Sequence, residues 1–450
     1  MHKNFVFLLL AATMLVSCKK QETENQKTPE IQAVPAKKAT VKDPVTLNQE
    51  VASSEELPTA NVAAFFKSME KKPEVFTINT SRDTILNCRE NTKITIHANS
   101  FVSQKNSREV SGKISFQVTE YYNISDMIFA GLSTRTNGKL LETGGMLYLT
   151  ATSNGEECRL KTPIEIEFPA TKEKPGMELY SGNWQQGQIN WQLDKNAADL
   201  NKVYANTEAK PEFPGGTSAF YKFVSRSIVL PDEDVKNGKI IVNFIVERDG
   251  KISNPQILKS DYKKPFNESV LEIFAKMPSF IPAKTNGVAV RSTYTLPITI
   301  TSPEEEQPNK PHRLTAAERL SIREERNTAN KISHAFATLS LNWVNCDRVN
   351  FFTPEPEKID YAINVETKNT TRSVVVLKRY KVILNAVNGN FGKIPKNENA
   401  TLVVIKYEND KFFLCMKETK ITSALVNDLA FNEISKKDLI AEIKKLNRFN

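Results

Sequence analysis

The sequence predicts a multi-domain α+β chain: an N-terminal antiparallel β-sandwich, a small central α+β domain and a mixed, β-rich α+β C-terminal domain. Three observations predict it. The chain has 450 residues, which at roughly 100–200 residues per domain gives two to four folded units. Between Val75 and Leu193, short runs of alternating apolar and polar residues are separated by turn residues. Between Pro211 and Ile300, the pattern changes to helix, hairpin, helix and strand, and a polar linker then leads to a new set of strands. With 40% hydrophobic and 25% charged residues, the composition is that of a globular protein and excludes a disordered or collagenous chain. The formal charge of +9 is spread thinly along the sequence. This predicts a solvated basic surface and no nucleic-acid partner.

Met1 to Lys3 is a short positive start, and Phe5 to Val16 is an apolar run interrupted only by Thr13. That run is too short to span a bilayer, which takes about 20 apolar residues, and it fits the core of a secretory signal. Leu15-Val16-Ser17-Cys18 then resembles the lipobox of bacterial lipoproteins, in which the cysteine is acylated and becomes the new first residue. The resemblance implies a signal peptide over 1–17, a lipid anchor at Cys18 and an outer-membrane protein facing the periplasm or the cell surface. Residues 18–60 are rich in Lys, Glu, Gln, Thr and Pro. They carry too little apolar area to offset their ordering entropy and read as a tether.

The sandwich is expected over 61–200. Lys93-Ile94-Thr95-Ile96, Gly112 to Val118 and Pro163 to Phe168 alternate with period two, and Asn137-Gly138 and Asn154-Gly155 supply turns. The stretch Ala98-Asn99-Ser100-Phe101, with Gly112, Glu120 and Leu140 to Met146, resembles a β-rich module of Bacteroidetes lipoproteins. Gly144-Gly145 reads as a tight backbone crossing. Tyr121-Tyr122, Trp184 and Trp191 read as core packing or rim contacts, with a sugar-binding face as the alternative.

The central domain is expected over 205–302. Thr217 to Ser225 and Phe266 to Met277 read as helices. Ile240, Val242, Phe244 and Val246 alternate before the Asp249-Gly250 turn, and Val290 to Ile300 reads as the last strand. This order, with Pro211-Glu212-Phe213-Pro214-Gly215-Gly216, Glu247-Arg248-Asp249-Gly250-Lys251-Ile252 and Phe280-Ile281-Pro282-Ala283, resembles the TonB C-terminal domain. The resemblance implies a small α+β unit that pairs with an extended segment of a TonB-dependent outer-membrane transporter by strand addition. Pro297 favours an edge position for the last strand, so Arg291, Ser292, Thr293, Tyr294 and Thr295 are the expected peptide-binding residues. A TonB energy transducer ends with this domain and has a transmembrane anchor, whereas here 150 residues follow it.

A linker is expected over 303–313 and the C-terminal domain over 314–450. Ala316 to Phe336 reads as a charged helix, Ser373 to Leu377 and Ala400 to Ile405 as strands, and Asp347-Arg348 as a turn with a surface ion pair or, alternatively, a site. Ser435-Lys436-Lys437-Asp438 reads as a helix cap. Besides Cys18, the cysteines fall as Cys88 and Cys158 in one region and Cys346 and Cys415 in another. In an oxidising compartment this predicts one disulfide within each pair. Histidines are scattered, and no metal-ligand spacing, nucleophile elbow or phosphate loop occurs. The expectation is a non-catalytic envelope protein with no cofactor and no metal. Its partner is an extended segment bound by the central domain or, alternatively, a glycan or protein bound by the sandwich.

Overall fold

The computed structural model describes residues 62–172, 174–185, 187–228, 238–300, 333–349, 351–365 and 370–449. The signal segment, Cys18, the tether, the 303–313 linker, His312 and Ala316 to Asn330 lie outside the described residues.

Period-two alternation produces the expected antiparallel sandwich. One sheet runs in the order Glu74–Asn79, Lys113–Tyr121, Glu142–Ser153, Asn342–Arg348, Glu178–Gln185 and Gln188–Leu193. The facing sheet runs Ala198–Asp199, Ser333–Thr338, Ile164–Pro169, Lys93–Ile96 and Thr84–Asn87. Ile114, Phe116, Leu147 and Leu149 from the first meet Ile94, Ile96, Ile164 and Ile166 from the second in a shared core. Each of those side chains alternates with a neighbour pointing to the opposite face. Gly145 is the tight crossing the sequence suggests: a Cβ there would sit 2.1 Å from the Tyr122 ring, and its φ is +144°.

Two of the sandwich strands come from beyond the central domain. Ser333–Thr338 pairs with both Ile164–Pro169 and Ala198–Asp199, and Asn342–Arg348 inserts between Glu142–Ser153 and Glu178–Gln185. The region expected to open the C-terminal domain therefore completes the sandwich instead. His334 to Phe336, expected at the end of a helix, are in a strand. Ala335 and Ala337 pack in a small core with Ala198, Leu200, Ala283 and Val290. Asp347 and Arg348, expected in a turn, are also in a strand. Asp347 is fully buried and accepts a hydrogen bond from Asn345 Nδ2, and burial holds its carboxyl well above the usual range. Arg348 pairs with the buried Glu142, Nη2 to Oε2 at 2.6 Å.

The cysteine expectation is corrected on both counts, because all four described cysteines are free and buried thiols. Cys346 lies on the inserted strand and shares the sandwich core with Cys88 and Cys158, whereas Cys415 packs in a separate core further along the chain. A disulfide between Cys346 and Cys415 would have to join two cores. Burial pushes the Cys88 thiol up to about 12.

The rest of the chain forms a five-stranded sheet, in the order Val382–Asn385, Thr371–Leu377, Asn399–Glu408, Lys411–Lys420 and Asn432–Ile434, and a three-stranded sheet of Asn390–Pro395, Lys358–Ile363 and Leu425–Val426. Val374, Val376, Val403 and Ile405 pack toward the sandwich face that carries Tyr121 and Trp191. The alternate residues Val375, Leu402 and Val404 pack toward Tyr361 and Ile394. Ser435 caps the last long helix, Lys436–Lys445, accepting the Asp438 amide at 3.1 Å as the cap motif predicts.

Candidate functional site in the central domain

The central sheet follows the order Val203–Tyr204, Arg291–Ile300, Gly238–Val246, Ile252–Ser260. Two helices, Gly216–Ser227 and Lys264–Ala275, cover one face. Ile240, Val242, Phe244 and Val246 alternate toward them and pack with Phe220, Val224, Val270 and Phe274. The Asp249-Gly250 turn is locked in place: the Phe280 amide donates to the Gly250 carbonyl at 2.8 Å. A Cβ on Gly250 would fall 1.9 Å from the Phe280 carbonyl oxygen. Glu212 and Ile281 exchange two backbone hydrogen bonds, at 3.0 and 2.8 Å. The Pro-Glu-Phe-Pro-Gly-Gly and Phe-Ile-Pro-Ala segments, far apart in sequence, are thus one structural unit, with Phe213 and Phe280 stacked edge-on at 5.5 Å.

Ser292–Ile300 is paired throughout with Gly238–Val246 on one side. On the other side only Arg291 and Ser292 are paired, in parallel, with Val203 and Tyr204. The expected binding strip is therefore divided. Arg291 and Ser292 are buried, and their outer edge is already occupied by the chain itself. Arg291 also grips Glu247 and donates to the Asn201 carbonyl at 3.0 Å. Burial alone would raise the Glu247 carboxyl, but its bonds to Arg291 and Ser253 and the Arg291 charge bring it below the ordinary range.

From Thr293 onward the outer edge carries no strand among the described residues. Backbone amides point alternately to the two sides of a strand. Pro297 has no amide to give the ladder, so its parity marks the outward side. Thr293, Thr295 and Thr299 share that parity and present their amides to the open edge. Their side chains lie on the face away from the helices, where Asn243 Oδ1 accepts from Thr293 Oγ1 at 2.8 Å and from Thr295 Oγ1 at 3.1 Å. On the opposite face the partly exposed Tyr294 packs against Phe244, Phe280 and Phe220, with ring centroids 5.3, 5.9 and 6.4 Å away. Burial raises its hydroxyl pKa.

Sequence reasoning missed the two-residue strand at Val203–Tyr204, which is too short for any periodic signal. It also missed the Asn243 acceptor, an amide in an otherwise apolar strand and the one visible hint of a polar partner there.

Residues 233–299 match the family model of the Gram-negative bacterial TonB protein C-terminal. The chain carries a TonB C-terminal domain. The match spans the hairpin, the second helix and the open-edged strand. No curated protein and no solved structure matches the chain. A TonB C-terminal domain is a non-catalytic, cell-envelope module, and it implies interaction with outer-membrane transporters. Among the described residues, no helix is long and apolar enough to cross a membrane.

The other sequence candidates fall elsewhere. Trp191 is fully buried and donates through its indole to the Ser133 carbonyl at 2.6 Å, and Tyr121 is buried as well. Of the aromatics considered for a sugar face, Trp184 is the exposed one.

Proposed function

We propose that this chain is a lipid-anchored, non-catalytic protein of the cell envelope whose TonB-type domain captures an extended segment of an outer-membrane transport partner. The segment adds as a strand along Thr293–Ile300. The observation that carries the reading is the open edge from Thr293, on the strand that the family match includes. Main-chain pairing there supplies affinity, and alternate side chains supply selectivity. One face offers the Thr293, Thr295 and Asn243 polar row, and the other offers Tyr294. The lipobox-like segment ending at Cys18 supplies the anchor, and the tether gives the folded part reach. Because the chain continues past the domain, the role is capture of the partner rather than transduction of energy.

Amide hydrogen exchange on the full chain tests the reading, using peptides taken from the extended N-terminal segments of TonB-dependent transporters. Saturating peptide is expected to slow exchange at Thr293, Thr295 and Thr299 and to leave Arg291 unchanged. Exchange that is unaltered throughout 293–300 would overturn it.

A further inference from the structure

A cleft of about 890 Å³ lies between the Glu178–Gln185 / Gln188–Leu193 hairpin of the sandwich and the turn that follows Val382–Asn385. Six of its lining residues are amides: Asn137, Gln185, Gln188, Asn190, Asn385 and Asn390. Each amide offers two donors and an acceptor, which matches hydroxyl groups that also donate and accept. The Asn385 amide nitrogen donates to the carbonyls of Gly131 at 2.8 Å and Leu132 at 3.3 Å, which fixes its orientation. Its Oδ1 is buried and has no partner among the described residues. Buried polar atoms in native proteins are usually satisfied, so such an atom in a cleft wall calls for a partner.

The one charged residue lining the cleft is Arg135. Its Nη2 donates to the Phe391 carbonyl at 2.6 Å, and its Nε is buried without a partner. No described carboxylate pairs with it, and burial lowers its pKa. Trp184, in register with Ile189 of the lining and 44% exposed, stands on the same hairpin.

The cleft is flanked by two sheet edges, Val382–Asn385 and Gln188–Leu193, but neither is open to a peptide here. The Thr134 amide and hydroxyl bond Ile383 through its carbonyl and amide, and Thr136 Oγ1 donates to the Trp191 carbonyl at 2.6 Å. Recognition therefore falls to side chains rather than to backbone pairing. We infer that this cleft binds an acidic oligosaccharide, with the amides reading ring hydroxyls and the Arg135 charge favouring a sugar carboxylate. Guanidinium and carboxylate match in geometry and sign. This site is independent of the TonB-type edge.

Calorimetric titration of the full chain provides the test, with galacturonate, mannuronate and glucuronate-containing tetrasaccharides as probes and maltotetraose as the uncharged counterpart. At least one acidic tetrasaccharide is expected to bind saturably and to shift tryptophan emission. The Gln188→Ala/Asn190→Ala variant is expected to bind it at least tenfold more weakly with an unchanged unfolding midpoint, since neither amide side chain bonds to another described residue. Three results would overturn the inference: no binding of any acidic probe, equal binding of maltotetraose, or undiminished binding by the double variant.

Discussion

Arg291 holds Glu247 through two bonds, Nε to Oε2 at 2.7 Å and Nη2 to Oε1 at 2.9 Å, across the strand pair that forms the middle of the TonB-type sheet. The same guanidinium reaches the Asn201 carbonyl, so one side chain ties the open-edged strand, the hairpin and the segment arriving from the sandwich. A residue that the sequence suggests as a peptide contact is thus a structural clamp.

The clamp makes the domain acid-sensitive in a defined sense. Glu247 has a folded pKa below its ordinary value. Its stabilising contribution is therefore present above the ordinary carboxylate range and is lost as pH falls through the lower, folded value. Thermal unfolding followed from pH 7 to pH 3 should show a loss in the wild type that is smaller in Glu247→Gln. Arg291→Ala should cost about 2 kcal/mol at pH 7, the size of a lost charged hydrogen-bonded pair.

A proline scan separates the two sides of the strand proposed to bind peptide. Thr293→Pro removes an outward amide, so peptide binding on a biosensor should fall at least tenfold while the protein stays folded. Tyr294→Pro removes an inward amide opposite Phe244 and should unfold the domain, as seen by circular dichroism. Thr295→Ala should change affinity less than threefold. Equal binding by wild type and Thr293→Pro would place the peptide elsewhere.

Gly250→Ala tests the turn lock. Its φ of +83° and the Phe280 carbonyl 1.9 Å from a Cβ leave no space for a methyl group. Destabilisation of about 1–3 kcal/mol is expected from overpacking alone. Urea unfolding, with Gly138→Ala as a control at a turn glycine that has nothing within 4 Å, reads the difference.

Thiol counting addresses the cysteines. Cys88, Cys158, Cys346 and Cys415 should all be alkylated in denaturant without reductant, and all should react slowly in the native state because they are buried. Recovery of a linked pair by mass mapping would contradict the fold.

Fractionation addresses the anchor. Cys18→Ala should move the protein from the membrane to the soluble fraction, because acyl chains are its proposed means of attachment.

Local patterns made the central domain legible. The Ile240-to-Val246 alternation, the Asp249-Gly250 turn and the Val270, Leu271 and Phe274 spacing all sit where the sequence puts them. What the sequence could not convey was which chain segment completes which sheet. His334-Ala335-Phe336 reads as the end of the charged helix that starts at Ala316, yet pairing with Ile164–Pro169 draws it into a strand. Asp347 reads as a surface residue by type, and its burial follows from strand insertion that no local pattern announces. Within the strip proposed to bind peptide, Thr293, Tyr294 and Thr295 keep an open edge among the described residues, while the outer edge of Arg291 and Ser292 is taken by a two-residue strand.

The neighbouring strands Ala198–Asp199 and Ser333–Thr338 carry a consequence for chain connectivity. They pair antiparallel, Ala198 with Ala337 and Asp199 with Phe336, and the Asn201 side chain already reaches the Ser333 carbonyl at 2.6 Å. Chain leaving one strand and entering the other lies close enough for a short turn to join them. The described TonB-type sheet therefore leaves and returns to the sandwich at adjacent positions of one strand pair, and the pairing of Ala198 with Ala337 and of Asp199 with Phe336 involves none of its residues.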